Sequence, residues 1–154
     1  MATVDLVDET FIVCARGPLA RSVADRERWR RWWPDLDLVV FMDRGLDGIR
    51  WSMSGALVGS CEIWLEEAFD GVLLHYYLRG RLDAGRDDGF RDDGHVRDDG
   101  HVRASTARAR RTADRQRRRR ALSWKAHAWA LKDELEAGRR PGEAPGAALT
   151  LGSL

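Results

Sequence analysis

Three side chains suited to proton transfer or anion binding alternate along one predicted strand: His75, Tyr77 and Arg79. They share a strand face because successive side chains of a strand point to opposite sides. Histidine titrates near neutral pH, so the trio could serve as polar anchors for a ligand or take part in acid–base chemistry. The other face of the same run is more apolar, which favours a trio that points to solvent. Both interpretations stay open, and neither identifies a catalytic residue.

The remaining metal-ligating and nucleophilic residue types lack a spacing that indicates a site. His95 and His101 each follow an Asp-Asp-Gly sequence, but a glycine-rich repeat holds ligands loosely. Cys14 and Cys61 have neither metal-ligand spacing nor the numbers for a disulfide framework. No glycine-rich phosphate loop or Ser/His/Asp arrangement stands out. We therefore expect no metal and no cofactor.

Charge is distributed unevenly, although the chain as a whole carries a net charge of only +1. Residues 83–102 contain seven Asp and three Arg, whereas residues 103–120 contain nine Arg and one Asp. The basic segment has three interpretations: a solvated helix face, a site for nucleic acid or an acidic partner, or a basic rim that selects anionic ligands at the mouth of a cavity. We favour the first, because no aromatic residue interleaves with the arginines and no nucleic-acid-binding module is recognisable.

The elements that must position these residues fit within one domain. The chain has 154 residues, of which 44% are hydrophobic and 33% charged. No apolar run is long enough to cross a membrane, and the first residues do not resemble a signal peptide. We therefore expect a cytoplasmic protein of a single domain, residues 1–137, followed by a disordered Gly/Ala/Pro tail, residues 138–154. The oligomeric state is left open.

Alternation and turn residues predict the order of elements. A strand at 3–15 leads through Gly-Pro into helix up to the Trp-Trp-Pro at 32–34. An antiparallel meander follows at 36–42, 49–57, 60–68 and 72–79, with Asp-Gly at 70–71 as a hairpin turn. Residues 83–103 form a low-complexity hexapeptide insert, which we interpret as a flexible loop. A long helix at 104–137 ends the domain, with Gly138 as its cap.

The long helix carries an apolar stripe of Trp124, Ala128, Leu131 and Leu135, spaced i, i+4, i+7 and i+11. Four further residues are expected to widen it: Leu122, Ala126, Trp129 and Ala130. The seven tryptophans are either core residues or a ligand-stacking surface, and we favour core packing. Trp64 shares a strand face with two glutamates, which indicates a surface or interface position.

Three segments together resemble a known superfamily. They are Trp-Arg-Arg-Trp-Trp-Pro-Asp-Leu at 29–36, Gly-Ala-Leu-Val-Gly at 55–59 with Glu-Ile-Trp-Leu at 62–65, and the run from Trp-Lys at 124–125 to Glu136. The chain resembles START-like (SRPBCC) proteins, in particular small bacterial proteins of the polyketide cyclase/dehydrase and lipid-transport type, with a Bet v 1-type fold. The resemblance implies an α+β helix-grip: a curved antiparallel sheet around a long C-terminal helix. Such proteins have six or seven strands, whereas only five can be placed here.

The resemblance also implies a function, namely binding of a hydrophobic or amphipathic small molecule, lipid or polyketide-like, between sheet and helix. A polyketide cyclase or dehydratase activity is implied as well, but binding without chemistry is the stronger expectation. The alternative is nucleic-acid or acidic-partner binding through residues 103–120. The side chains expected to line the cavity are apolar and face the helix: Trp51, Met53, Ile63, Leu65, Leu74, Tyr76, Trp124, Ala128 and Leu131.

Overall fold

The computed structural model describes residues 2–83 and 99–145. Within these ranges the chain forms five strands, three α-helices and one short 3-10 turn. In chain order they are β1 (Thr3–Ile12), α1 (Arg16–Ala24), α2 (Arg26–Trp32), β2 (Leu36–Asp43), the 3-10 turn (Gly45–Asp47), β3 (Gly48–Gly55), β4 (Leu57–Ala68), β5 (Gly71–Leu82) and α3 (Asp99–Leu135).

The five described strands form one antiparallel sheet in the order β1-β5-β4-β3-β2. The meander β2 to β5 was predicted from alternation and is confirmed, and β1 returns to pair with β5. The β4–β5 turn differs by one residue from the prediction: Ala68 pairs with Gly71, so the loop is Phe69-Asp70. Phe69 takes the left-handed φ of 53° that the turn requires.

The helical region after β1 is divided at Asp25 into two short helices. The Asp25 backbone is extended, and its side chain accepts a hydrogen bond from the Glu27 N–H at 2.9 Å, which caps α2. Helix α2 ends before Trp33 and Pro34, as the proline predicted. The indoles of this short helix, and the indole of the residue that follows it, therefore lie against the sheet.

Helix α3 begins at Asp99, inside the predicted insert, and its C-terminal half is fixed to β1. Lys132 Nζ donates to the Phe11 carbonyl at 2.7 Å, and the Glu136 carboxylate accepts from the Val13 N–H at 2.7 Å. Strand β1 accordingly ends at Ile12, three residues earlier than predicted. Residues 84–98 of the insert lie outside the described residues.

The core lies between the sheet and the three helices. The predicted stripe of α3 is confirmed, with Trp124, Ala128 and Leu131 at most 2% exposed. Leu122, Ala126, Trp129 and Ala130 were expected to widen this buried stripe and do not: all four are exposed, Leu122 at 75% and Trp129 at 61%. They lie on the opposite side of α3, where no described element packs.

The tail is described as far as residue 145, and its first part forms turns. The Arg139 N–H donates to the Glu136 carbonyl at 3.0 Å, and the Arg139 guanidinium lies 3.7 Å from the Asp70 carboxylate. The predicted cap Gly138 has a φ of 80°. Taken together, these elements form the α+β helix-grip fold that was predicted.

Candidate functional site

A cleft of about 260 Å³ lies between the end of α2 and the middle of α3. Its walls come from the Trp-Trp-Pro-Asp segment, from β5 and from two turns of α3. The lining residues are Trp32, Trp33, Pro34, Asp35, Tyr76, Arg119, Arg120, Ser123 and Trp124. One wall is therefore aromatic, and the rim is charged.

The aromatic wall is a stack of three rings. Trp33 lies parallel to Trp124, with ring centroids 5.8 Å apart and an interplanar angle of 5°. Tyr76 stacks on Trp124 at 4.1 Å, and Trp32 meets Trp124 edge-on at 5.6 Å. Trp33 is also held from behind, because it contacts Trp51 of β3 at 5.4 Å. The wall is consequently a fixed apolar surface of the kind that small-molecule sites use.

The charged rim consists of two arginines that share one carboxylate. Arg120 binds Asp35 through two hydrogen bonds, at 3.2 and 2.8 Å, and Arg119 adds a third at 2.9 Å. Arg120 is only 7% exposed, whereas the side chain of Arg119 is 63% exposed. Two guanidinium groups and one carboxylate leave this end of the cleft with a charge of +1.

The Tyr76 hydroxyl lies at the base of the stack and accepts a hydrogen bond from Trp33 Nε1 at 3.0 Å. Burial is the main cause that raises the pKa of Tyr76 well above its ordinary value. The hydroxyl therefore keeps its proton at physiological pH and is poorly suited to act as a base.

Two buried N–H donors of the lining residues lack a hydrogen-bond partner among the described residues. They are Nε1 of Trp124 and Nε of Arg120. Leaving such a donor unpaired costs about 1–3 kcal/mol. Both side chains border the cleft, so an acceptor close to this wall would improve their hydrogen bonding.

The nine predicted cavity residues all lie in the buried core, at 4% exposure or less. Two of them, Tyr76 and Trp124, also line the cleft. Met53, Ile63 and Leu65 belong to the same packed cluster as the tryptophans. Trp29 of α2 and Trp33, which follows α2, pack against Trp51 in this core with ring centroids 5.1 and 5.4 Å away.

The predicted polar anchors lie on the sheet face that points away from α3. Of the two interpretations left open by the sequence, this is the placement that was favoured, because His75, Tyr77 and Arg79 alternate with residues that face the helix. Arg79 is exposed, with 80% of its side chain accessible. His75 is unexpectedly buried at 5% exposure, because Trp64 covers its ring at 4.3 Å.

The buried imidazole of His75 lies between two carboxylates. Its Nε2 is 2.9 Å from Glu66 and its Nδ1 is 3.2 Å from Glu9. Trp64, expected at a surface or interface, is half-buried over this ring and belongs to the same arrangement. The cluster links β1, β5 and β4 through cross-strand pairs, since His75 lies opposite Glu9 on one side and Trp64 on the other.

The other candidate residues form no second site within the described ranges. Both cysteines are buried and unpaired, and burial is the largest cause that raises the pKa of Cys14 to about 11 and of Cys61 to about 12. His95 lies outside the described residues, as does the side chain of His101. No group of potential metal ligands occurs in the part of the chain that the structure describes.

Sequence reasoning missed Trp32, Trp33, Asp35 and the two arginines as members of one site. A signal was present: Arg120 lies four residues before Trp124, at a position that continues the buried stripe of α3. An arginine within such a stripe requires a buried acceptor. Asp35 is the acceptor because of the point at which α3 crosses the sheet. Spacing along the chain does not reveal that point.

Comparison with known proteins gives likenesses of fold only. No family model matches the chain, and no curated protein matches it. The solution structure of the Aha1 dimer from Colwellia psychrerythraea is similar over 91% of this chain and all of that chain, at 13% identity and a TM-score of 0.48. The crystal structure of Ara h 8.0201 is similar over 73% of this chain and 95% of that chain, at 12% identity and a TM-score of 0.36.

These likenesses are distant, so the helix-grip assignment rests on the chain's own sheet order and helix placement. That sheet order and helix placement confirm the predicted helix-grip architecture. None of the described helices is long and apolar enough to span a bilayer.

Proposed function

We propose that the chain binds a small amphipathic molecule, with an aromatic or aliphatic body and one anionic group, in the cleft beside α3. The observation that carries this proposal is the pairing of a fixed indole wall with the Arg119–Arg120 rim, which retains a positive charge. The apolar body would lie against Trp33 and Trp124. The anionic group would meet Arg119, which is exposed and can adjust its position.

The size of the cleft limits the ligand. Pockets for drug-sized molecules have volumes of about 300–1,000 Å³. At about 260 Å³, this cleft suits a one- or two-ring acid or the terminal part of a longer lipid. An extended polyketide or a whole phospholipid would protrude beyond the mouth.

Binding without turnover is favoured over a cyclase or dehydratase activity. The titratable groups of the cleft are already engaged: Asp35 accepts from two arginines, and the Tyr76 hydroxyl retains its proton. Acid–base catalysis needs a group that changes protonation state near the working pH. A cytoplasmic location and the absence of a cofactor remain predictions of the sequence.

The test is calorimetric titration with two probes that differ in charge. These are 1-anilinonaphthalene-8-sulfonate, which is anionic, and N-phenyl-1-naphthylamine, which is neutral. We expect Arg119→Gln to weaken sulfonate binding about tenfold, because a hydrogen bond to a charged group contributes about 1.5–3 kcal/mol and this one is partly exposed. Binding of the neutral probe should change by less than twofold.

A steric variant supplies the matched control. Ser123→Phe places a ring in the cleft and should abolish binding of both probes, whereas Ala130→Phe, two turns further along α3, should leave both unchanged. Equal effects of the two phenylalanine variants would contradict the proposed location. Unchanged sulfonate binding in Arg119→Gln would contradict the anionic selectivity.

A further inference from the structure

The outward side of α3 carries a continuous row of exposed residues that the cleft does not use. Arg111, Arg115, Arg118, Leu122 and Trp129 follow one another at intervals of four, three, four and seven residues, which keeps them on one helix face. All five are exposed, the last two at 75% and 61%. We refer to this row as the outer face of α3.

The arginines of the outer face are free of acidic partners in the described part of the chain. No described carboxylate lies within salt-bridge distance of Arg111, Arg115 or Arg118, whereas Arg119 and Arg120 bind Asp35. Two acidic residues of α3 lie beside this face: Asp114, a turn after Arg111, and Asp133, a turn after Trp129. The outer face is therefore basic along most of its length and apolar near its C-terminal end.

We propose that the outer face of α3 docks on the surface of an anionic phospholipid bilayer. Negative lipid headgroups complement the three unpaired guanidinium groups, and each basic residue near such a surface strengthens binding. Trp129 and Leu122 add an apolar surface, which binding through headgroup charge alone would not require. Tryptophan is enriched at the membrane interface, and a leucine beside it can enter the acyl boundary.

The same apolar pair argues against nucleic acid as the partner. Binding to phosphate backbones requires only the arginines, and it would leave Leu122 and Trp129 in water. A bilayer offers both an anionic layer and an apolar layer to a helix that lies flat on it. The bilayer is therefore the partner that accounts for the whole face.

Docking in this orientation would bring the cleft close to the lipid. Arg119 and Ser123 line the cleft and directly follow Arg118 and Leu122 in the chain. A molecule leaving the headgroup region would thus meet the mouth of the cleft beside the docked helix. The proposal does not depend on this consequence, because vesicle binding can be measured without any cleft ligand.

The test is co-sedimentation of the full chain with vesicles of phosphatidylcholine alone or mixed with phosphatidylglycerol. We expect binding to the anionic vesicles only, weakened by added salt. Arg111→Gln/Arg115→Gln/Arg118→Gln should reduce this binding on the order of a hundredfold, from about 1 kcal/mol for each charge. Leu122→Gln/Trp129→Gln should reduce it more than about tenfold, because the apolar contribution is lost.

The matched control removes three exposed arginines from other surfaces. Arg21→Gln/Arg30→Gln/Arg79→Gln changes net charge equally and should alter vesicle binding less than about threefold, because each lies away from the outer face. An equal loss in this control would overturn the proposal, as would no binding to anionic vesicles. Binding of a DNA duplex that depends on the three α3 arginines, without vesicle binding, would assign the face to nucleic acid instead.

Discussion

At the scale of single residues, Asp35 connects the two arginines of the rim to the loop that follows α2. Its carboxylate neutralises Arg120, which is 7% exposed, and also receives the exposed Arg119. Its carbonyl accepts from the Ala56 N–H at 3.1 Å, which ties this loop to the β3–β4 turn. Removal of Asp35 should therefore lower the free energy of unfolding much more than removal of Arg119.

Asp35→Ala should destabilise the fold by about 3 kcal/mol, because it leaves the buried guanidinium of Arg120 without a counter-charge. Arg119→Ala should cost less than about 1 kcal/mol, as exposed ion pairs do. Adding Arg120→Met to Asp35→Ala should recover part of the loss. Urea denaturation of the three variants measures these differences, and equal costs for Asp35→Ala and Arg119→Ala would contradict the assigned burial.

The buried thiols should be chemically inert in the folded protein. With a pKa of about 11 for Cys14 and about 12 for Cys61, very little thiolate exists at neutral pH, and burial blocks access. Labelling by a disulfide reagent should therefore proceed only as fast as the chain unfolds. Rapid labelling of either cysteine without denaturant would show that its surroundings open locally.

At the scale of elements, the β3–β4 connection controls the position of the cleft loop. Gly55 has a φ of 97°, and a Cβ on it would lie 2.7 Å from the Asp35 carbonyl oxygen. Gly138 has a similar φ of 80°, but a Cβ there would meet nothing within 4 Å. Substitutions at the two glycines can therefore separate the stability cost of backbone strain from the cost of a steric clash.

Gly138→Ala should cost about 1 kcal/mol, which is the strain of a left-handed alanine. Gly55→Ala should cost more than that and should also weaken binding of the sulfonate probe, since it displaces the Asp35 segment. Thermal denaturation and probe titration of the two variants make the comparison. A Gly55→Ala variant as stable as Gly138→Ala, with unchanged affinity, would contradict the close approach of the two loops.

The free energy of unfolding should depend on pH because of His127, which lies where α2 and α3 meet. Burial, and then the charge of Arg31, lowers the pKa of His127 from its ordinary value of 6.5. The unfolded chain therefore binds a proton more readily than the folded one, and stability from this group is present above pH 6.5 and falls as pH drops through the folded pKa. His127→Gln should lose less stability than the natural chain between neutral and mildly acidic pH. Equal losses in urea denaturation would contradict this coupling.

At the scale of the whole molecule, alternation in the strands and the stripe of α3 predicted the elements, and the resemblance to START-like proteins implied their helix-grip arrangement. Trp51, Met53 and Ile63, which were expected to face the helix, are buried, because period-two patterning defines which strand face meets the core. The buried face of α3 was harder to predict, because this helix carries a second apolar row at Leu122 and Trp129. Its two rows have the same periodicity, and only the position of β1 decides which one is buried.

The cleft could not be predicted for a related reason. It forms where the arginines of α3 cross the end of α2, and the residues that meet there are more than 80 positions apart in the chain. The polar trio of β5 was visible in the sequence, yet local pattern could not reveal that Trp64 covers His75. Both the cleft and the cover over His75 depend on tertiary packing, which a local sequence pattern does not show.

Binding in the cleft is tested most directly by NMR, by following the indole N–H signals of the seven tryptophans while the sulfonate probe is added. We expect shifts for Trp32, Trp33 and Trp124, which line the cleft, and none for Trp64 on the other face of the sheet. A response confined to the exposed Trp129 would place the probe on the outer face of α3. That result, or no response from Trp33 and Trp124, would contradict the cleft as the binding site.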